Sequence, residues 1–481
     1  MKNHALISLL KKFSRKEIKE FGDFISVPYF NKRAAVADLY EIIKKQYPEF
    51  NEPGIEKRNL FNSLYKGKKF NESSLRVLMH YLYELAVRFL TLKRFEKDKL
   101  QYKYMEILEM LDRDNTSGIE KTIDRLITNL RPEDYVSEQY YYHRFKLEYE
   151  KMYCLVELHS GIYEKFLESA YYINVFENLS LYYYLTSLRM YLNILNLEVI
   201  YKKDFPKRQF EEMFDSLDIN LISEVKILDM YYNMILMIKD QNKPEYFYKV
   251  KNILKEISSQ LFLDDLKDAY INQLNYCGRK ILSGDGSFVK EKFEVCKNEI
   301  RSKTYLYSGK MSPVYFKQVV ATGLQISEFK WVYDFIHKYK NELERAFREN
   351  TFNYSLSLYY FKKKELDRSL EYLSKVTYNE VYQKIDLKVL QMMIYYEMNS
   401  TEPLLSAAEA FRHFLTNSRL IPAPRLAWYM NFYKSLTRLL KCRITSDHYR
   451  LSILRQEISS TDEIVNKEWF MSKMEELGES T

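Results

Sequence analysis

The sequence predicts an all-α fold: an N-terminal helical domain followed by an α-solenoid of about six to seven helix pairs. Three observations carry this. The 481 residues hold only 11 Gly and 10 Pro, too few to supply the turns that a sandwich, barrel or propeller needs every 8 to 12 residues or so. Apolar residues recur at helical spacing wherever a segment is long enough to test. Beyond about residue 120, a two-helix outline repeats with a period near 40.

The N-terminal segments come first. Ser14 and Glu17 form a capping box, in which hydroxyl and carboxylate each satisfy an orphan backbone N–H. The helix that follows places Ile18, Phe21, Phe24 and Ile25 on one face, and Pro28 ends it. A second helix is expected over about Arg33–Gln46 with Val36, Leu39, Tyr40 and Ile43 inward, stopped by Pro48. A third, about Ile55–Tyr65, stops at Gly67, which suits a left-handed C-terminal position. A long helix then begins near Asn71. Its Leu75, Leu78, Met79, Leu82, Leu85, Ala86 and Phe89 form one broad apolar stripe, and no Gly or Pro interrupts it before Gly118, so it is expected to run on, bent, toward Leu111. These segments define an expected domain over residues 1–115.

Residues 116–481 are expected to form the solenoid. The aromatic or Leu that follows each turn falls at Tyr163, Phe205, Tyr246, Phe288, Phe329, Leu366 and Leu404, at intervals of 42, 41, 42, 41, 37 and 38 residues. Turns before these positions hold Gly161, Pro244, Gly284, Gly286 and Pro403. One helix hairpin cannot bury both faces alone, so each stacks on its neighbours and leaves a concave surface.

The segment NYSLSLYYFKKKELDRSLEYLSKV, from Asn353, resembles a tetratricopeptide repeat. Leu356 and Ser357 stand at the Leu-Gly pair of that pattern, and Tyr360 at its first-helix aromatic. Leu366, Ser369, Leu373 and Val376 follow in the second helix, with small residues where the helices cross closely. Lys364 replaces the turn glycine, and Ser replaces both small residues. The next unit keeps Tyr395 and Ala407/Ala408, so the clearest units span about 312–416, with capping helices expected over 424–481. The resemblance implies that Tyr354, Leu358, Phe361 and Lys362 face the groove as peptide contacts. Chain-wide, the pairing of blocks like FSRKEIKEFGDFISVPYFN and LFNSLYKGKKFNESSLRVLM with a repeat-rich remainder resembles a family of uncharacterised bacterial all-helical proteins. That resemblance implies an architecture and carries no activity.

Composition narrows the function classes. A 46% hydrophobic share argues against disorder. Four scattered cysteines rule out a disulfide scaffold and fit reduced thiols in a cytoplasm. Ala5–Leu10 is too short an apolar stretch for a signal peptide, and no uncharged apolar run reaches the 18 or so residues needed to span a bilayer. A cytoplasmic protein without a membrane partner is the expectation.

Residues 1–115 hold 23 Lys/Arg against 16 Asp/Glu, whereas the other 366 residues hold 51 against 50. Nearly all of the +8 net charge therefore sits in the first quarter. Lys66, Lys68 and Lys69 precede the long helix and Arg76 lies one turn inside it, a placement that suits phosphate because charge and free N–H donors point the same way. A solvated lysine-rich surface explains the same pattern.

Catalytic ingredients are scattered. Seven His include no HxxxH or HxH pair, so no metal site is expected. SGDGSF at 283–288 lacks the spacing of a phosphate-cradling loop and falls where a repeat turn is due. Asp264, Asp265 and Asp268 lack the glycine and terminal Glu of a calcium loop. The expectation is a non-enzymatic scaffold or adaptor, without cofactor, that binds a protein or peptide on a concave face. The alternative is a nucleic-acid-binding regulator acting through residues 1–115.

Overall fold

The computed structural model describes residues 4–50, 55–113, 118–130, 137–158, 170–307, 309–377, 381–418, 421–461 and 463–479. Among these it is all-helical, with 24 α-helices and one hairpin of two-residue strands, Leu306–Tyr307 and Lys310–Met311. Contacts divide the chain into two compact units, residues 1–184 and 185–481. Tyr163 and Gly161 lie outside the described residues.

In the first unit, a core built from residues 6–89 occupies the N-terminal end. Helix Arg15–Ser26 opens with the capping box: the Glu17 N–H donates to Ser14 Oγ at 3.2 Å and the Ser14 N–H to Glu17 Oε2 at 2.9 Å. Phe21, Val36, Leu39, Tyr40 and Ile43 are wholly buried, as the spacing predicts, and the Tyr40 hydroxyl donates to the Ile18 carbonyl. All seven residues of the expected stripe on helix Glu72–Lys97 are buried.

That helix does not run on toward Leu111. Asp98 ends it, and Asp98 Oδ1 accepts the Gln101 N–H at 3.0 Å, which starts a separate helix, Lys99–Leu111. A short acidic side chain that captures a backbone donor breaks the helix without help from Gly or Pro. Gly67 has φ +80 but stands two residues past the C-cap, Tyr65.

In the second unit, consecutive helices pack as antiparallel neighbours: Lys226–Lys239 on Glu245–Ile257, Leu263–Leu282 on Phe288–Ser302, Pro313–Gln325 on Phe329–Tyr339, Arg348–Lys362 on Leu366–Ser374, and Val381–Glu397 on Thr401–Asn417. First helices also meet first helices, as Pro313–Gln325 meets Arg348–Lys362 and the latter meets Val381–Glu397. Helices Ala423–Thr445, His448–Ser460 and Lys467–Glu479 complete the unit.

Four of the hairpin turns share one geometry. Gly284, Ser327, Lys364 and Asn399 are all left-handed, with φ of 96°, 62°, 63° and 57°. The residue after each donates its N–H back across the turn, Asp285 to Lys280, Glu328 to Gly323, Glu365 to Tyr360 and Ser400 to Tyr395, at 2.9 to 3.0 Å. This is the 6→1 bond of a Schellman motif, which satisfies the orphan carbonyls of the first helix. Only one of the four is glycine.

Packing at the crossings is close. Ser357 and Ser369 are fully buried against each other, the two small positions of the tetratricopeptide-like segment. At Gly323 a Cβ would stand 2.5 Å from Val332 Cγ2 and 2.8 Å from Phe293 Cε2. Tyrosine mainly fills space between helices, as Tyr191, Tyr231 and Tyr276 do at 0 to 1% exposure.

Candidate functional site

A groove of about 1160 Å³ opens in the second unit, more than twice the volume of the other clefts described below. Helix Arg348–Lys362 is apolar nearly all round because neighbours cover most of it. The remaining face carries Tyr354, Leu358, Phe361 and Lys362 at i, i+4, i+7 and i+8, and all four line the groove. The next first helix, Val381–Glu397, adds Asp386, Val389, Leu390 and Met393 at i, i+3, i+4 and i+7. Phe361, Val389, Leu390 and Met393 are nearly buried and form its floor.

The opposite wall has no signature in the repeat pattern. It comes from the C-terminal helix Lys467–Glu479, whose Glu468, Met471, Ser472 and Glu475 face the groove. The other side of the same helix, with Trp469, Phe470, Lys473 and Met474, is buried. Trp428, 41% exposed, stands among the lining residues, as does Leu282, 85% exposed.

Glu397 holds that wall in place. It accepts from Lys473 Nζ at 2.9 Å, Lys364 Nζ at 3.0 Å and Trp469 Nε1 at 3.0 Å. Burial alone would raise its pKa, but the hydrogen bonds from Lys473, Lys364 and Trp469 outweigh it and hold the carboxyl below its ordinary range. The Lys364 side chain thus adds an ion pair at a turn position where the repeat pattern has glycine.

The basic N-terminal candidates lie in the first unit. Lys66, Lys68, Lys69 and Arg76 are all exposed. The Lys68 ammonium sits 5.3 Å from the Tyr65 ring centroid. The helix start beside them is already served: Asn71 Oδ1 accepts the Ser74 N–H at 3.0 Å, and Glu72 pairs with Lys57. Arg76 lines a cleft of about 500 Å³ with His4, His80 and Tyr83, which the loop lysines do not line. Further along, Lys93 is held by Glu20 at 2.7 Å and Glu17 at 3.4 Å. A further cleft, about 510 Å³, lies at the Asp98 break between Val87, Phe95 and Gln101.

Other polar groups have structural partners. His143 is buried, not on the surface or in the groove as its sequence context suggests, and burial lowers its pKa. Asp265 and Asp268 accept from the Tyr231 hydroxyl at 2.8 and 3.1 Å. SGDGSF forms the turn between Leu263–Leu282 and Phe288–Ser302. The four cysteines are buried free thiols, raised in pKa by burial. Among the described residues, no helix is long and apolar enough to cross a membrane. No protein-family model, curated protein or solved structure matches the chain.

Proposed function

We propose that residues 185–481 build a tetratricopeptide-like solenoid and that the protein is a non-enzymatic cytoplasmic scaffold or adaptor that takes a peptide segment of a partner protein in the groove. One observation carries this reading: Tyr354, Leu358, Phe361 and Lys362, the positions that the repeat pattern assigns to ligand contact, line a single groove of about 1160 Å³. The recurrent left-handed turns and the first-helix to first-helix packing support the repeat architecture. Affinity would come from apolar burial on a preformed surface, which keeps the ordering cost of binding low. Capture on the full chain tests it. A partner is expected that survives nuclease treatment and is lost with Leu358→Glu; a partner set unchanged by that substitution, or removed by nuclease, contradicts it.

A second reading, a nucleic-acid-binding regulator, is favoured by the exposure of Lys66, Lys68, Lys69 and Arg76 on the unit that carries most of the charge excess. The Asn71 cap and Glu72 count against it, since they occupy helix N-terminal donors and place negative charge there. Under this reading the full chain binds a labelled oligonucleotide with steep salt dependence, and charge reversal at Lys66, Lys68 and Lys69 weakens it. No binding at low salt removes it.

A further inference from the structure

The groove holds one charge with no counterpart. Asp386 pairs with Lys317 at 3.1 Å, Glu475 with Arg455 at 3.1 Å, and Glu468 accepts from the Gln325 amide at 3.2 Å. Lys467 donates to the carbonyls of Ser459 and Thr461, each at 2.9 Å. Lys362 makes no hydrogen bond or ion pair among the described residues.

Its surroundings make that costly. The residue as a whole is exposed, yet the groove wall withdraws its ammonium from water and lowers its pKa below the lysine norm, against the pull of Glu468. An ammonium partly stripped of water and left unpaired is unfavourable, and an anion supplied from outside would satisfy it. Leu358 and Phe361 stand on the same helix face, and Met393 and Met471 on the other helices that line the groove. The charged lining residues are two lysines and three acids, so a group of single negative charge fits better than a phosphate dianion.

We propose that Lys362 is a specificity anchor that pairs with the carboxylate of a bound peptide, so that the ligand is an acidic residue flanked by aliphatic or aromatic side chains. This rests on the reading of the groove as a peptide site. The test uses immobilised pentapeptides with Asp, Asn or phosphoserine at the centre and Leu, Ile, Phe or Tyr at the flanks, probed with the full-length wild type, Lys362→Gln and Lys362→Arg. A charge-assisted hydrogen bond corresponds to about tenfold preference for Asp over Asn. That ratio is expected on the wild type, retained in Lys362→Arg and reduced to about one in Lys362→Gln. Equal binding of Asp and Asn peptides, a ratio unchanged in Lys362→Gln, or preference for phosphoserine overturns the carboxylate assignment while leaving an apolar peptide groove standing. Retention of no peptide in any set overturns both.

Discussion

Ser369 donates its hydroxyl to the backbone carbonyl of Ser357 at 2.8 Å, and both side chains are wholly buried. The contact fixes how closely helices Arg348–Lys362 and Leu366–Ser374 approach, and through the first of these it sets the wall that carries Tyr354, Leu358, Phe361 and Lys362. Ser369→Ala loses one neutral hydrogen bond, about 1 kcal/mol. Ser369→Leu forces the helices apart and is expected to cost about 2–3 kcal/mol. Urea unfolding checks the order; equal midpoints for the two variants would show that the crossing is not tight.

Backbone geometry gives a pair of opposite expectations. Gly323→Ala puts a methyl 2.5 Å from Val332 and should destabilise by about 1–3 kcal/mol. Ser327→Gly relieves a left-handed residue, φ 62°, and should stabilise by up to about 1 kcal/mol. Thermal midpoints should therefore move in opposite directions, and a shared direction contradicts the account of the turn.

The Glu397 cluster predicts local release. Glu397→Ala leaves the Lys473 side chain, only 5% exposed, without its buried partner and should cost about 3 kcal/mol or more. Hydrogen exchange over Lys467–Glu479 should quicken before the rest of the second unit. Because the carboxyl lies below its ordinary value of 4.5, its contribution is fully present above that pH and is lost as pH falls through the folded value. Exchange that stays slow in the variant would show that Phe470 and Met474 hold the helix alone.

Glu299 has the opposite sign. Burial pushes its carboxyl from an ordinary 4.5 up to about 7, with the Tyr315 hydroxyl opposing, and its Oε2 has no hydrogen-bond partner. The folded state therefore holds the proton that the unfolded state has released. Stability should be highest below about pH 4.5 as far as this group is concerned, decline as pH rises to about 7, and lose roughly 3 kcal/mol in all. Glu299→Gln should flatten that slope; an unchanged slope removes Glu299 as its source.

Much of this was legible from spacing, and the remainder depends on long-range packing. Leu75 to Phe89 face inward because a 3.6-residue period predicts burial well in a helix that packs on one side. The break at Asp98 was not legible, since capping by one acidic side chain leaves no Gly or Pro mark. Ser327, Lys364 and Asn399 hide left-handed turns for the same reason. Alignment on aromatics placed Tyr246 after its turn, whereas Phe247 is the fully buried residue there. Of the groove, the four residues on Arg348–Lys362 followed from the repeat pattern. Glu468, Met471 and Glu475 did not, because a wall supplied from about a hundred residues downstream has no local period.

The most direct measurement places the photocrosslinker p-benzoylphenylalanine at Leu358 in the groove and, separately, at Glu371 on the exposed side of Leu366–Ser374, in cells that make the protein. A discrete protein adduct from position 358, resistant to nuclease, absent from position 371 and lost when Met393→Glu is added, is the predicted result. No adduct at 358, or the same adducts from both positions, would contradict the groove as the site where this protein meets its partner.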